Sequence, residues 1–145
     1  MVVYADTSFL FSLYTNEANS VKADEEYLAL QAPIAFTALQ QHELYNALCL
    51  YVFREKMTLL EKRVIQASIA TDIQNGALLE FRIDWAKAYA YAETLSELYT
   101  PKLGCRALDI LHVALAKMLN VEYFYSFDVR QRNLAKKVGL KVKPK

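Results

Sequence analysis

Four carboxylates stand at positions in the sequence where an acid calls for an explanation. Asp6 follows the apolar run "VVYA" and Asp128 follows "EYFYSF", so each ends a segment typical of a buried strand. Glu43 and Asp109 lie in helical patterns with apolar residues four positions before and after them, which predicts that both face partly inward. Taken alone, each has a structural alternative, because Asp is a favoured N-cap and a helix acid can lie on a solvated face.

Considered together, the four acids favour a site with a cation. Two unit charges about 4 Å apart repel by roughly 4 kcal/mol at an effective dielectric near 20, so a cluster of carboxylates needs protons or a cation to neutralise it. Carboxylate oxygens suit a hard divalent ion, which predicts Mg²⁺ or Mn²⁺, one ion or two, and argues against zinc. Such a site suits the attack of water on a phosphodiester, because the ions neutralise charge on the attacking and leaving oxygens.

Other kinds of catalytic site have no support in the sequence. Only three glycines occur, scattered along the chain, and no GxGxxG or Walker loop is present to cradle a phosphate. No Ser-His-Asp or Cys-His arrangement can be placed at a matching site. His42 and His112 do not have the spacing of a metal-ligand pair, and we expect structural roles for both. His112 lies one turn after Asp109 and could also orient that carboxylate or contact a substrate.

The elements that must position these acids are predicted from strand and helix signals. Strands are expected at "VVYAD", "IAFT", "ALLEFRI" and "EYFYSFD", with a short edge strand at "LKV", and helices lie between them. Thr37 and Gln40 predict a capping box, and the helix after "ALLEFRI" is expected to stop before Pro101. The alternation predicts an α/β fold, a parallel sheet with helices on both faces. Ligands of such sheets bind at the carboxyl ends of the strands, where Asp6 and Asp128 fall.

Length and composition set further limits. The 145 residues predict one domain, residues 1–145, and 54% hydrophobic with 23% charged residues is a globular profile. No signal-peptide pattern and no run of 18 apolar residues occurs, so we expect a cytoplasmic protein without a membrane anchor. Up to residue 128, sixteen acids against ten Lys and Arg leave −6, whereas residues 129–145 carry +7. This basic end could contact a polyanion or be an ordinary solvated helix and tail.

Four segments of the chain resemble the motifs of one known family. "YADTSFLFSLYTNE" resembles the strand, acid and helix that open PIN domains, in particular those of the VapC-type toxins, and "TALQQHEL" is similar to the segment of their second acid. "RALDILHVALA" resembles their third-acid helix, and "YSFDVRQRNLAKKVGLKV" resembles their closing strand, turn and helix. The four motifs span nearly the whole chain in the expected order.

The resemblance implies a three-layer α/β/α sandwich on a mostly parallel sheet of four or five strands. It also implies a metal-dependent nuclease that acts on RNA, with Asp6, Glu43, Asp109 and Asp128 as the acidic quartet. In that arrangement Asp6 and Asp109 would bind the metal directly and Glu43 would bind it or position water. Asp128 would bind a second ion or a metal-bound water.

Further candidate residues are substrate-binding. Thr7 and Ser8 at a helix N-terminus could present hydroxyl or backbone N–H groups to a phosphate, or could cap that helix. Ser126 stands where the family commonly has Thr, and its hydroxyl could hold a neighbouring carboxylate. Arg130 and Arg132 lie within one turn of Asp128, close enough to hold an RNA backbone.

The resulting hypothesis is a Mg²⁺- or Mn²⁺-dependent endoribonuclease, the toxin of a toxin–antitoxin pair, whose antitoxin would place a segment in the acidic groove. A stand-alone RNA-processing PIN nuclease remains an alternative. So do an aspartate-dependent phosphohydrolase or phosphotransfer domain using Asp6, and a non-catalytic interaction module. A homodimer is also expected. Its surface would use aromatic residues that could instead pack in the core, namely Tyr45, Tyr51, Phe53, Tyr89 and Tyr91.

Overall fold

The computed structural model describes all 145 residues, as five short strands and seven helices. In chain order the elements are β1 (Val3–Ala5), α1 (Thr7–Tyr14), α2 (Ser20–Leu30), β2 (Ile34–Phe36), α3 (Ala38–Phe53), α4 (Leu59–Asn75), β3 (Leu78–Glu80), α5 (Trp85–Leu103), α6 (Ala107–Met118), β4 (Tyr123–Tyr125), α7 (Val129–Lys137) and β5 (Lys141–Lys143).

The strands form one parallel sheet in the order β3-β2-β1-β4-β5. This confirms the predicted α/β fold with a sheet of four or five strands, and the fifth is the short edge strand β5. β1 is central and pairs with β2 on one side and β4 on the other. The chain therefore changes direction across the sheet between β1 and β4, which is where open parallel sheets bind their ligands.

Two apolar cores lie on opposite faces of the sheet and make the molecule the expected three-layer sandwich. Helices α1 to α4 cover one face and bury side chains that include Phe9, Leu44 and Ile69. Helices α5 to α7 cover the other face, and α6 is buried at every residue from Ile110 to Ala116. Successive side chains of β1 point to opposite faces of the sheet, so Val3 and Ala5 pack in the first core and Tyr4 packs in the second.

The helix ends agree with most of the local signals. The Thr37–Gln40 capping box is present at the start of α3. The prediction that α5 stops before Pro101 is wrong, because the helix continues to Leu103 with the proline in its last turn. Pro101 is exposed there, so the carbonyl that loses its N–H partner is close to the helix end and to solvent. Gly104, at φ 64°, ends the helix instead.

Of the five aromatic residues considered for a dimer surface, three pack against the rest of the protein and two are exposed. Tyr45 and Tyr91 pack against the two cores, and Tyr51 makes an edge contact with Phe11. Phe53 and Tyr89 are exposed, by 83% and 55%. None of the seven helices combines the length and the apolar character needed to cross a membrane.

Candidate functional site

A groove of about 820 Å³ opens at the carboxyl ends of β1 and β4, and all four candidate acids line it. Asp6 directly follows β1, and Asp128 lies three residues after β4. Glu43 comes from the second turn of α3, and Asp109 comes from the first turn of α6, where the helix dipole favours a negative charge. The fold therefore gathers on one groove four acids that are far apart in the sequence.

Asp6 is the most buried and the most tightly held of the four acids. It is 4% exposed, and its Oδ1 accepts hydrogen bonds from the Ser8 hydroxyl at 2.9 Å and from the Phe9 N–H at 2.8 Å. Its Oδ2 accepts from the Ser126 hydroxyl at 2.6 Å. Burial raises the pKa of Asp6, although the bonds from Ser126 and the Phe9 N–H oppose that rise. Asp6 is thus an N-cap of α1 and a groove carboxylate at once.

Glu43 is held by a chain of polar groups that crosses between the two faces of the sheet. Its Oε1 accepts from the Thr7 hydroxyl at 3.0 Å and lies 2.6 Å from His112 Nε2. His112 Nδ1 lies 2.7 Å from the Tyr4 hydroxyl, so the network fits Tyr4 donating to Nδ1 and Nε2–H donating to Glu43. Burial alone would raise the pKa of Glu43, but the bonds from His112 and Thr7 outweigh it and lower that pKa. His112 therefore orients Glu43 and not Asp109, the acid on its own helix.

Asp109 and Asp128 share a cation supplied by the chain itself. Arg106, the N-cap residue of α6, places its Nε 3.0 Å from Asp109 Oδ2 and its Nη2 4.0 Å from Asp128 Oδ2. The hydrogen bond to Asp109, together with the charges of Asp109 and Asp128, raises the pKa of Arg106. Sequence reasoning missed Arg106, although its position three residues before Asp109 on a helix is a spacing at which opposite charges pair.

Ser126 and Gln131 connect the acids beneath the groove, and both are almost completely buried. The Ser126 hydroxyl is shared between Asp6 and Gln131 Oε1, and it accepts a bond from the Asp128 N–H at 3.0 Å. Gln131 Nε2 donates to the Asp109 carbonyl at 3.1 Å, while its backbone N–H donates to Asp128 Oδ1 at 2.8 Å. One buried polar network thus positions three of the four acids, and Gln131 carried no signal in the sequence.

The remaining substrate-binding candidates have different surroundings. Thr7 and Ser8 line the groove, where their hydroxyls already hold Glu43 and Asp6. Arg130 is exposed on α7 and is not among the residues that line the groove. Arg132 also lies outside it, because its guanidinium donates to the carbonyls of Ser126 and Pro144 at 2.8 and 2.6 Å.

The donor set of the groove fits a hard divalent cation, although the side chains are not arranged around one point. Every candidate ligand atom is a carboxylate oxygen, the donor that Mg²⁺ and Mn²⁺ prefer. No three His, Cys, Asp or Glu side chains are close enough together to hold one ion in this arrangement. The four acids instead pair with protein groups, namely Asp6 with hydroxyls, Glu43 with His112 and the other two with Arg106.

Comparison with known proteins assigns the family. The sequence model of the PIN domain matches residues 3–137, and the chain therefore belongs to the PIN domain family. This confirms the resemblance seen in the sequence. No curated protein matches the chain.

Solved structures of three proteins share the fold over nearly their whole lengths. VapC20 of Mycobacterium tuberculosis, described as a toxin that cleaves the Sarcin-Ricin loop, superposes with a TM-score of 0.69 at 14% identity, covering 98% of this chain and 99% of VapC20. FitAcB of Neisseria gonorrhoeae superposes with a TM-score of 0.65 at 17% identity, covering 97% of this chain and 95% of FitAcB. VapBC2 of Rickettsia felis, bound to a DNA fragment from its promoter, superposes with a TM-score of 0.64 at 16% identity. The match covers 99% of this chain and 100% of the VapBC2 chain.

Proposed function

We propose that this protein is a divalent-metal-dependent endoribonuclease, formed by a single domain over residues 1–145, and the toxin of a toxin–antitoxin pair. The observation that carries the proposal is the convergence of four carboxylates from four elements on one groove, at the point where the strand order of the sheet changes. Membership of the PIN domain family supports it. The fold shared with VapC20, a toxin that cleaves the Sarcin-Ricin loop, supports a role as a toxin.

Each acid has a distinct task in this proposal. Asp6 and Asp109 would bind Mg²⁺ or Mn²⁺ directly, Glu43 would bind the ion or position water, and Asp128 would serve a second ion or its water. When bound, the ion supplies Lewis-acid activation of water and of the phosphodiester oxygens. The bonds from Ser8, Ser126 and the Phe9 N–H hold the Asp6 carboxylate in one orientation, so the side chain would not have to be ordered when an ion binds.

Two acids of the groove, Glu43 and Asp6, have shifted pKa values that bear on cation binding. The lowered pKa of Glu43 keeps that side chain ionised, so it can accept a hydrogen bond from water. Burial raises the pKa of Asp6, so loss of its proton and binding of a cation are coupled. Binding of the ion should therefore weaken as the pH falls.

A second groove extends the candidate substrate path. It has a volume of about 720 Å³, and His42 lines both grooves. Tyr45, Phe81 and Arg82 also line it, and aromatic rings beside a cation are a common surface for the bases and backbone of single-stranded RNA. Arg130, which is exposed two residues after Asp128, is a further candidate for binding the RNA backbone. If charge reversal at Arg130 left RNA affinity and its salt dependence unchanged, that assignment would be abandoned.

Cleavage of labelled tRNA and single-stranded RNA in Mn²⁺, Mg²⁺ or EDTA tests the activity. We expect metal-dependent cleavage by the wild type and a loss of at least about 100-fold in Asp6→Asn and Asp109→Asn, the usual size when a charge-stabilising group is removed. Asp24→Asn, at an exposed acid of α2 outside this groove, is the matched control. Full activity in Asp6→Asn or Asp109→Asn would refute the site assignment.

The toxin role and the partners need separate tests. We expect expression of the wild type in a bacterial cytoplasm to arrest growth, with Asp6→Asn tolerated and a cognate antitoxin relieving the arrest. A homodimer that buries the exposed Phe53 and Tyr89 should appear as twice the chain mass in light scattering. Growth unaffected by an active nuclease would favour a stand-alone RNA-processing enzyme instead.

A further inference from the structure

Arg106 is an unusual residue in this groove. Twenty residues line the groove, among them five acids, and Arg106 is the only Lys or Arg. The fifth acid, Glu17, was not among the candidates from the sequence. The Arg106 side chain is 73% exposed, so solvent and ligands reach it without any change in the fold.

The geometry of Arg106 is that of a bridge between two acids. Its Nε lies 3.0 Å from an oxygen of Asp109 on α6, and its Nη2 lies 4.0 Å from an oxygen of Asp128 at the start of α7. Without a positive charge between them, the two carboxylates would repel each other. Arg106 therefore neutralises the same pair of side chains that the proposed function assigns to divalent ions.

The backbone of Arg106 is anchored while its side chain is free to move. As the N-cap of α6, Arg106 accepts a hydrogen bond from the Ile110 N–H at 3.1 Å, but its side chain makes no capping bond. The guanidinium donates a hydrogen bond to Asp109 and forms a longer ion pair with Asp128, and exposed ion pairs of this kind are weak because water competes with them. The guanidinium can thus leave Asp109 and Asp128 at small cost and without unfolding the helix.

We propose, resting on the nuclease function above, that Arg106 alternates between two anionic partners. In the metal-free protein it bridges Asp109 and Asp128 and competes with a divalent ion for them. Once displaced, it contacts a phosphate of the RNA held in the same groove. A guanidinium suits both partners, because its planar fork pairs with carboxylates and phosphates alike. Arg106 is then a substrate-contacting residue and also sets the metal concentration at which the site fills.

The proposal predicts effects of opposite sign from one substitution. Arg106→Gln should bind Mn²⁺ about 2- to 5-fold more tightly in calorimetric titrations without RNA, since a weak competing ion pair is removed. At saturating Mn²⁺ the same variant should cleave RNA at least about 10-fold more slowly in single-turnover assays, since a donor to phosphate is lost. Arg106→Lys, which keeps the charge but not the fork, should fall between the variant and the wild type in both assays.

Arg63→Gln is the matched control, because Arg63 is exposed on α4 outside the groove and its loss changes the net charge equally. Mn²⁺ affinity that is unchanged or weaker in Arg106→Gln would overturn the competition, and an unchanged cleavage rate would overturn the contact with phosphate. A wild type that neither binds Mn²⁺ nor cleaves RNA would overturn the proposed function together with this inference. An active wild type with Arg106→Gln equal to Arg63→Gln would overturn this inference alone.

Discussion

Removal of the Ser126 hydroxyl should disturb two acids of the site at once. In Ser126→Ala, Asp6 Oδ2 loses its 2.6 Å hydrogen bond and the Asp128 N–H loses its 3.0 Å acceptor. Ser126 is completely buried, so water cannot easily replace either bond. Gln131 also loses the bond at its Oε1. The side chains that hold Asp6 and Asp128 are therefore loosened without removing either acid.

The magnitude follows from the charge on Asp6. A hydrogen bond to an ionised group contributes roughly 1.5–3 kcal/mol to stability, against about 1 kcal/mol for a neutral one. We expect Ser126→Ala to lower the free energy of unfolding by about 2 kcal/mol at pH 7, or roughly 4–8 °C in thermal midpoint. The bond from Ser126 lowers the pKa of Asp6, which means that it stabilises the ionised carboxylate. The part of its stabilisation that depends on this charge is present above the pKa of Asp6 and is lost as the pH falls through that pKa.

Urea denaturation at pH 7 and at pH 4, with Mn²⁺ calorimetry at pH 7, measures both effects. Ser68→Ala, at an exposed serine of α4 whose hydroxyl bonds the Val64 carbonyl, is the control. Ser126→Ala should lose more stability at pH 7 than at pH 4 and should bind Mn²⁺ at least about 10-fold more weakly, as expected when the partner of a metal ligand is removed. Equal losses at both pH values, or unchanged Mn²⁺ affinity, would refute the reasoning.

Three further substitutions test the surroundings of the site. Asp6→Asn should raise the thermal midpoint in EDTA at pH 7 but not at pH 4. Burial raises the pKa of Asp6 above its value in the unfolded chain, so the carboxyl costs stability as the pH rises above that unfolded value, and Asn removes the cost. Mn²⁺ should stabilise only the wild type. Gln40→Leu should cost about 3 kcal/mol in urea denaturation, since the Gln40 side chain bonds a carbonyl of β1, a carbonyl of β2 and the Thr37 N–H. Gln41→Leu breaks no such bond and should cost under about 1 kcal/mol. Phe81→Ala should weaken RNA binding in EDTA by about 5-fold or more in fluorescence anisotropy, whereas Phe53→Ala should not; equal affinities would exclude base stacking at the second groove.

The fold was largely predictable because its signals are local. The alternation of strand and helix patterns predicted a parallel sheet with two helical layers, and the capping box at Thr37 predicted where α3 begins. The position of Pro101 inside α5 was not predictable from the same signals, because tolerance of a proline in the last turn depends on tertiary exposure.

The candidate site was predictable in its acids and not in the groups that hold them. Asp6 directly follows β1 and Asp128 lies three residues after β4. A parallel sheet brings residues at the carboxyl ends of its strands to one edge, so their approach follows from topology. His112 bonds Glu43 from the other side of the sheet, and this pairing depends on how α3 and α6 pack around β1. Arg106 bridges Asp109 on α6 and Asp128 at the start of α7. Sequence spacing indicates the pair with Asp109 but not the pair with Asp128. Contacts between elements carry no local signal.

Anomalous diffraction at the manganese absorption edge, from crystals grown with Mn²⁺, tests most directly whether the acids of this groove form a cation site. The account predicts a peak within ligand distance of carboxylate oxygens of Asp6 and Asp109, with Arg106 moved away from Asp109 and Asp128. A groove without such a peak at saturating Mn²⁺, or a peak held by other residues while Arg106 still bridges the two acids, would contradict it.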